Sequence, residues 1–273
     1  MPIAVPTADE LAVLQDEAVR FTRELIRIDT TNFGGNDPAT WGRGESEAAE
    51  HVVGLLREVG LEPTVVESAP GRPSVFVTIP GEDRTRGGLI LHGHLDVVPA
   101  KAEDWSVDPF GAEIIDGMIH GRGAVDMKDM VAMILAVARH LARTGQVPPR
   151  DLMFAFFADE ENGSVWGAQW LVENHPEIFE GMTEAISEVG GYSITLPEEG
   201  TGEDVRAYLV QTAEKGLAWG RLRAHGRAGH GSVPNDENAI VRLARAIAAI
   251  DAHDFPIAYI ASVRALFDGI TGS

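Results

Sequence analysis

The sequence predicts an α/β fold in which a mainly parallel sheet is flanked by helices. Short apolar runs of strand length alternate along the chain with segments whose apolar residues recur at helical spacing. Hydrophobic residues make up 44% of the 273 residues, and 30 Gly and 15 Pro are ordinary for a globular protein of this class. Alternating strands and helices favour parallel pairing with both faces of the sheet covered.

Two helices are expected first. Residues 7–10 (Thr-Ala-Asp-Glu) form a capping-box pattern, and apolar residues from Leu14 to Ile28 then recur at helical spacing. The polar residues 30–32 end this helix. A second amphipathic helix is expected at 48–59, where Gly60 is a typical residue just beyond a helix end.

The next part of the chain contains most of the expected strands. They lie at residues 63–66, 74–79, 88–91, 151–158 and 184–187. Asp116-Gly117 predicts a hairpin between 112–115 and 118–120. Helices are expected at 126–141, where most positions are apolar, and at 165–174.

The composition changes near Glu199, where a polar, glycine-rich loop begins. Strands at 208–212 and 217–225 and a helix at 238–248 follow, and no closing strand comes after them. We therefore expect a metal-binding catalytic domain at residues 1–207, which is incomplete, and part of a smaller α+β domain at 208–273.

Composition excludes several classes of function. The net charge of −20 repels nucleic acid and anionic membrane surfaces. The absence of cysteine excludes disulfides and thiolate zinc sites, which leaves His, Asp and Glu as the strong metal ligands. The first residues lack the features of a signal peptide, and no apolar run approaches the length of a membrane span. The expectation is a cytoplasmic protein with no nucleic-acid or membrane partner.

Acidic residues and histidine follow three of the expected strands. His94 and Asp96 come after the strand at 88–91, Glu160 and Glu161 after the strand at 151–158, and Glu188 after the strand at 184–187. Ligands collect at the carboxyl ends of strands in an open α/β sheet, and neighbouring carboxylates repel one another unless a cation lies among them. The pattern indicates a metal-centred hydrolase.

Each residue also has a structural interpretation. His94 could be a strand-end histidine bonded to a turn aspartate, although a ligating histidine commonly donates its other ring N–H to a carboxylate such as Asp96. Asp126 could be the N-cap of the next helix, or it could bridge two cations. Glu160 and Glu161 could lie in a solvated loop, or one could bind metal while the other takes a proton from bound water.

Two further residues are less informative alone. Glu188 taken singly is typical of a loop acid. His230 lies between Gly229 and Gly231 in a loop that could present it to a developing oxyanion, but the spacing alone favours a surface histidine. A non-metal α/β hydrolase is rejected because Gly163-Ser164-Val165 lacks the preceding Gly-x of a nucleophile elbow.

Taken together, five segments resemble a known family in their order along the chain. They are LHGHLDVVP (91–99), GRGAVDMK (121–128), ADEENGS (158–164), SEVGG (187–191) and AGHGSVP (228–234). They resemble the dizinc metallohydrolases and metallopeptidases of the acetylornithine deacetylase, succinyl-diaminopimelate desuccinylase, aminoacylase and glutamate carboxypeptidase family. The resemblance implies a zinc exopeptidase-like catalytic domain and a lid domain that forms homodimers.

The resemblance also implies roles for single residues. His94 and Glu188 would bind the first zinc, Glu161 the second, and Asp126 would bridge them before a cis peptide bond. Asp96 would orient His94, and Glu160 would be the general base. His230, on the lid, would polarise the scissile carbonyl of a small peptide or N-acyl amino acid, which a zinc-bridging water attacks. Co²⁺ or Mn²⁺ would suit the same ligands.

The sequence departs from the family pattern at two points. Asp129 stands where the family usually has glycine after the Asp-Met-Lys triplet. The chain also ends partway through the lid, so the resemblance implies that the second zinc lacks its last histidine ligand. The leading hypothesis is therefore a family hydrolase, as a fragment or a naturally short chain. The rival hypothesis is a catalytically inactive metal-binding or interaction protein on the same half-fold.

Overall fold

The computed structural model describes residues 4–35, 42–188, 190–197, 204–214, 216 and 220–271. The chain divides into two compact units, Met1–Val189 and Gly190–Ser273. This division lies earlier than the boundary expected at residue 207. The reason is that residues 190–197 form a strand that pairs with a strand of the second unit.

The first unit contains a five-stranded mixed sheet. In chain order the strands are β1 (Thr64–Glu67), β2 (Pro73–Ile79), β3 (Gly88–His94), β6 (Leu152–Phe157) and β7 (Met182–Ile186), and a separate hairpin is formed by β4 (Glu113–Ile115) and β5 (Met118–His120). The spatial order is β1-β2-β6-β3-β7. β3 is parallel to both β6 and β7, whereas β2 is antiparallel to β1 and β6. The α/β class is confirmed, but the sheet is mixed because β1 and β2 are joined by a connection too short for a parallel crossover.

Both faces of this sheet are covered by apolar side chains. Val75, Val77, Phe154 and Phe156 face the helices α1 (Ala8–Arg27), α2 (Ser46–Arg57) and α3 (Lys128–Thr144) in the larger cluster. The alternate residues of β2 and β6 face a smaller cluster around Leu171 of α4 (Ala168–Asn174). This period-two alternation of two buried faces is what a central strand of an α/β sheet requires.

The expected capping box begins α1. Glu10 donates its backbone N–H to Thr7 Oγ1 over 3.3 Å, and its carboxylate accepts the backbone N–H of Thr7 over 2.8 Å. The expected hairpin is also confirmed, since Asp116 and Gly117 both have positive φ, 51° and 79°, as a tight two-residue turn requires.

The second unit contains the hairpin of β8 (Gly190–Pro197) and β9 (Asp204–Val210), followed by α5 (Ala239–Asp251) and α6 (Ala261–Thr271). The helix predicted at 238–248 is confirmed as α5, with Asn238 as its N-cap. β8 and α6 were not predicted. The strand predicted at 217–225 is absent from 220–225, and residues 217–219 lie outside the described residues.

Within the described ranges, none of the helices combines the length and the apolar character that crossing a membrane requires.

Candidate metal centre

The carboxyl ends of β3, β6 and β7 lie at one edge of the five-stranded sheet. The parallel pairing of β3 with both neighbours brings these ends together, with β3 in the middle. β3 ends at His94, β6 is followed by Glu160 and Glu161, and β7 is followed by Glu188. All four residues lie in the first unit, so the topology itself assembles the predicted cluster.

His94 is buried, with 2% of its surface exposed, and both of its ring nitrogens have partners. Nδ1 donates to the backbone carbonyl of Asp96 over 2.9 Å and lies 3.4 Å from the Asp96 carboxylate. Nε2 faces carboxylate oxygens of Asp126 at 3.1 Å, Glu188 at 3.4 Å and Glu160 at 3.7 Å. Nε2 is therefore the atom that the structure presents to a cation, and Asp96 fixes the ring.

Asp126 points towards His94 and does not cap α3. The N-cap of that helix is Met127, and no side chain caps it. The structural alternative for Asp126 is therefore wrong. The peptide bond between Asp126 and Met127 is cis, as the resemblance implied.

Glu160 and Glu161 lie in a single turn of 3₁₀ helix, Glu160–Asn162. The preceding residue, Asp159, has a φ of 59°, in the left-handed region. The backbone N–H groups of Glu160 and Glu161 donate to the two oxygens of the Asp96 carboxylate over 3.0 and 3.1 Å. Asp96 therefore holds both His94 and the turn that carries the two glutamates.

Two overlapping groups of side chains have the spacing of metal ligands. One contains His94, Asp126 and Glu161, and the other contains His94, Glu160 and Glu188. Within each group the possible ligand atoms lie within 4.8 Å of one another. The five residues predicted to surround the metal thus converge, although the spacing alone does not separate the general base from the ligands.

The electrostatics of the cluster favour a positive charge at its centre. Burial and the charge of Asp126 raise the pKa of Glu161 to about 7, and burial and Glu188 raise the pKa of Glu160. Burial opposes protonation of His94, but hydrogen bonds to Asp126, Asp96 and Glu188 outweigh it and hold the pKa of His94 above its usual range.

A divalent cation fits this donor set. One imidazole nitrogen and several carboxylate oxygens are ligands that Zn²⁺, Co²⁺ and Mn²⁺ accept. Glu161 Oε1 is buried and has no hydrogen-bond partner among the described residues. A cation would satisfy that oxygen and would replace the proton that the carboxylates otherwise draw onto His94.

Asp129, the departure from the family pattern, lies near this cluster. It is half-buried in the first turn of α3, and its Oδ1 has no hydrogen-bond partner in the described part of the chain. Burial raises the pKa of Asp129 to about 6, with smaller contributions from Asp126 and Glu188. Asp129 therefore adds negative potential to a centre that is already acidic.

His230 lies in the second unit, where it is exposed. Its Nδ1 is 2.8 Å from Ser232 Oγ and accepts the backbone N–H of Ser232 over 3.3 Å. The role suggested for His230 stays a prediction.

Three buried residues near the centre were not singled out from the sequence. Asn32, Glu45 and Arg72 lie beneath Asp96 and Asp159, and each is at most 4% exposed. They come from three separate loops, and no local pattern marks them. Only the long-range contacts of the folded chain reveal their relation to the site.

Two protein-family models match parts of the chain. Residues 90–179 match peptidase family M20/M25/M40, and residues 212–271 match a peptidase dimerisation domain. The chain is 34% identical to aminoacylase-1 of Sus scrofa over 195 residues, which are 71% of this chain and 45% of that protein. It is 30% identical to the N-fatty-acyl-amino acid synthase/hydrolase of Xenopus tropicalis over 88% of this chain and 46% of that protein. The chain thus spans about half the length of the curated relatives it matches.

Two solved structures share the fold. Human carnosine dipeptidase 1 is 24% identical with a TM-score of 0.54, and the match covers 70% of this chain and 45% of that one. The dipeptidase Dug1p of Saccharomyces cerevisiae is 21% identical with a TM-score of 0.54, over 68% of this chain and 43% of that one.

Proposed function

We propose that the chain is a member of the peptidase family M20/M25/M40, whose model its residues 90–179 match, and that it hydrolyses the amide bond of an N-acyl amino acid or small peptide in a metal-dependent reaction. The observation that carries the proposal is the convergence of His94 Nε2 with the carboxylates of Asp126, Glu160 and Glu188 within 3.7 Å. Such a cluster has no evident structural purpose, since like charges at this distance oppose one another.

Two zinc ions are proposed for the complete site. His94 and Glu188 would hold the first ion, Glu161 the second, and Asp126 would contribute an oxygen to each. When bound, Zn²⁺ supplies Lewis acidity and lowers the pKa of a coordinated water towards 7. Co²⁺ and Mn²⁺ are compatible with the same residues.

The side chains of this protein supply the proton transfers and the orientation. Glu160 accepts a proton from the attacking water and returns it to the leaving amine, a role suited to a half-buried carboxylate whose pKa is raised by burial. Asp96 keeps His94 in the orientation that presents Nε2. His230 is proposed to donate a hydrogen bond to the developing oxyanion.

The names of the sequence relatives favour N-acyl amino acids as the first substrates to assay. Aminoacylase-1 and the N-fatty-acyl-amino acid synthase/hydrolase are both named for compounds of this class. The match of residues 212–271 to a dimerisation domain supports a homodimer formed through the second unit, which the molar mass in solution would test.

Metal reconstitution tests the proposed function. The metal-free protein would be loaded with Zn²⁺ and assayed against N-acetyl and longer N-acyl amino acids and against dipeptides, with the Glu160→Gln variant as control. The proposal predicts amine release that needs metal and is lost in the variant. Zn²⁺ binding without hydrolysis of any of these substrates would favour the rival hypothesis of an inactive metal-binding homologue.

A further inference from the structure

A fully buried polar network lies beneath the metal centre. Its members are Asn32, Glu45, Arg72, Asp96 and Asp159, and each is between 0% and 4% exposed. Burying three carboxylates and a guanidinium group is costly unless every group is paired and hydrogen-bonded. The hydrogen bonds and ion pairs that offset this cost also fix the positions of Asp96 and Asp159 at the strand ends.

Asn32 is the centre of this network. Its amide nitrogen donates to Asp96 Oδ2 over 2.8 Å and to Asp159 Oδ1 over 2.9 Å. Its amide oxygen accepts from Arg72 Nη2 and from the backbone N–H of Gly34, each over 3.0 Å. These four hydrogen bonds use the full capacity of a primary amide. The orientation of the amide is also defined, because the reverse orientation would direct its oxygen at two carboxylates.

Arg72 holds Asn32 in this orientation. Arg72 Nη1 forms an ion pair with Glu45, while Nη2 bonds to Asn32 and lies 3.6 Å from Asp159 Oδ1. The backbone supports the pair, since Glu45 donates its N–H to the carbonyl of Gly71 over 2.9 Å. Glu45 and Asp159 therefore fix the guanidinium group in the position from which it donates to Asn32.

The two carboxylates that Asn32 joins follow different strands. Asp96 follows β3 and fixes His94, and it also accepts the N–H groups of Glu160 and Glu161. Asp159 follows β6, and its second oxygen accepts the N–H of Trp166 over 2.8 Å. The Asn32 amide thus bridges the ends of β3 and β6, which carry the imidazole and the glutamates of the metal centre.

We propose that Asn32, oriented by Arg72, is a positioning residue that sets the spacing between His94 and the Glu160-Glu161 turn. This inference rests on the proposed function, since that spacing matters only if a metal binds there. Without the amide, Asp96 and Asp159 would repel one another across the gap, and the hydrogen bonds from the Glu160 and Glu161 N–H groups to Asp96 would have to hold the turn against that repulsion. Residues that orient metal ligands typically change metal affinity 10- to 100-fold when removed, as order-of-magnitude values.

Zn²⁺ titration of the full chain tests this inference through the variants Asn32→Ala and Arg72→Lys. The ammonium group of Arg72→Lys keeps a charge for Glu45 but has no second planar N–H group for Asn32. We expect the Kd for Zn²⁺ to rise about 10- to 100-fold in Asn32→Ala and to a smaller extent in Arg72→Lys. For any substrate that is turned over, kcat should fall while KM stays close to the wild-type value.

Arg139→Lys is the matched control. Arg139 is also buried and paired, with Glu17 and Glu58 each at 3.0 Å, but it lies among the helices away from the strand ends. Its substitution should lower the melting temperature and leave the Kd for Zn²⁺ unchanged. A purely structural role for Arg72 would make the two lysine variants alike in both measurements.

The outcomes separate this inference from the proposed function. A wild-type chain that binds Zn²⁺, with folded Asn32→Ala and Arg72→Lys variants whose Kd lies within twofold of its value, would overturn the inference and leave the function standing. Equal weakening in Arg139→Lys would overturn it as well. A wild-type chain that binds none of Zn²⁺, Co²⁺ and Mn²⁺ would overturn both. If Asn32→Ala does not fold, Arg72→Lys and its control decide the matter.

Discussion

Glu160 and Glu161 are adjacent in the chain, yet their proposed roles differ and can be separated by Glu160→Gln and Glu161→Gln. Glutamine keeps the size of the side chain and removes its charge and its basicity. Replacing Glu160 leaves the group of His94, Asp126 and Glu161 complete, and it removes from the group of His94, Glu160 and Glu188 only the side chain that we propose as the base. Glu160 is also 44% exposed at its side chain, so its replacement should hardly change the free energy of unfolding.

The expected magnitudes follow from these positions. Loss of a general base typically lowers kcat about 10²- to 10⁴-fold, which corresponds to roughly 2.7–5.4 kcal/mol in the activation barrier. Glu160→Gln should therefore remove nearly all hydrolysis and change the Kd for Zn²⁺ by less than about threefold. Glu161→Gln removes a carboxylate whose buried Oε1 has no other partner among the described residues, so it should weaken Zn²⁺ binding by about tenfold or more.

Zn²⁺ titration and amine release, measured on the same protein preparations, give both quantities. The assignment of Glu160 as the base and Glu161 as a metal ligand is refuted if Glu160→Gln loses Zn²⁺ affinity as severely as Glu161→Gln does. It is also refuted if Glu160→Gln retains wild-type kcat. The reversed pattern would exchange the roles of the two glutamates and leave the metal centre itself intact.

Two further predictions concern pH and a buried lysine. Because burial and the charge of Asp126 raise the pKa of Glu161 to about 7, a proton on Glu161 competes with the cation below that pH, in addition to the proton on His94, so Zn²⁺ affinity should depend more steeply on pH below 7 than above it. Titrations at several pH values check this, and an unchanged slope in Glu161→Gln would contradict the assignment. Lys128 is fully buried, and its Nζ donates to the carbonyls of Leu25 and Ile28 over 2.9 and 2.8 Å at the end of α1. Lys128→Met should lower the free energy of unfolding by about 2–5 kcal/mol, because two buried carbonyls lose their donor. A denaturant titration with a midpoint equal to that of the wild type would show that the carbonyls find other donors.

The residues of the centre could be predicted from the sequence because their signal is local. Each follows an apolar run of strand length, and parallel strands bring such positions to one edge of a sheet. His94, Glu160, Glu161 and Glu188 meet for this reason. Asp126 was harder to interpret, because an aspartate before a helix is equally typical of an N-cap, and only the geometry shows that Met127 has that position.

The support beneath the centre could not be predicted in the same way. Asn32 is 64 residues from Asp96 and 127 from Asp159 in the chain, and an asparagine after a helix is typical of an ordinary loop. Arg72 lies in a short turn before β2, where a surface position would be the usual expectation for arginine. Hydrogen bonds across such separations leave no periodicity in the sequence.

The fold showed the same contrast between local and long-range signals. The capping box of α1, the Asp116-Gly117 turn and the helix α5 were predicted correctly, because each depends on residues that are close together in the chain. The direction of β2 depends on its partners, so the mixed pairing was not foreseen. No element was predicted for residues 190–197, where β8 lies just before the glycine-rich acidic segment.

Elemental analysis of the gently purified chain and of a His94→Ala variant tests most directly the claim that this cluster is a metal centre. His94 belongs to both groups of candidate ligands, and its Nε2 faces Asp126, Glu160 and Glu188. We predict at least one divalent metal ion per wild-type chain and a loss of most of that metal in the variant. A wild-type chain without bound metal, or equal metal in both proteins, would contradict the assignment of this cluster as a metal centre.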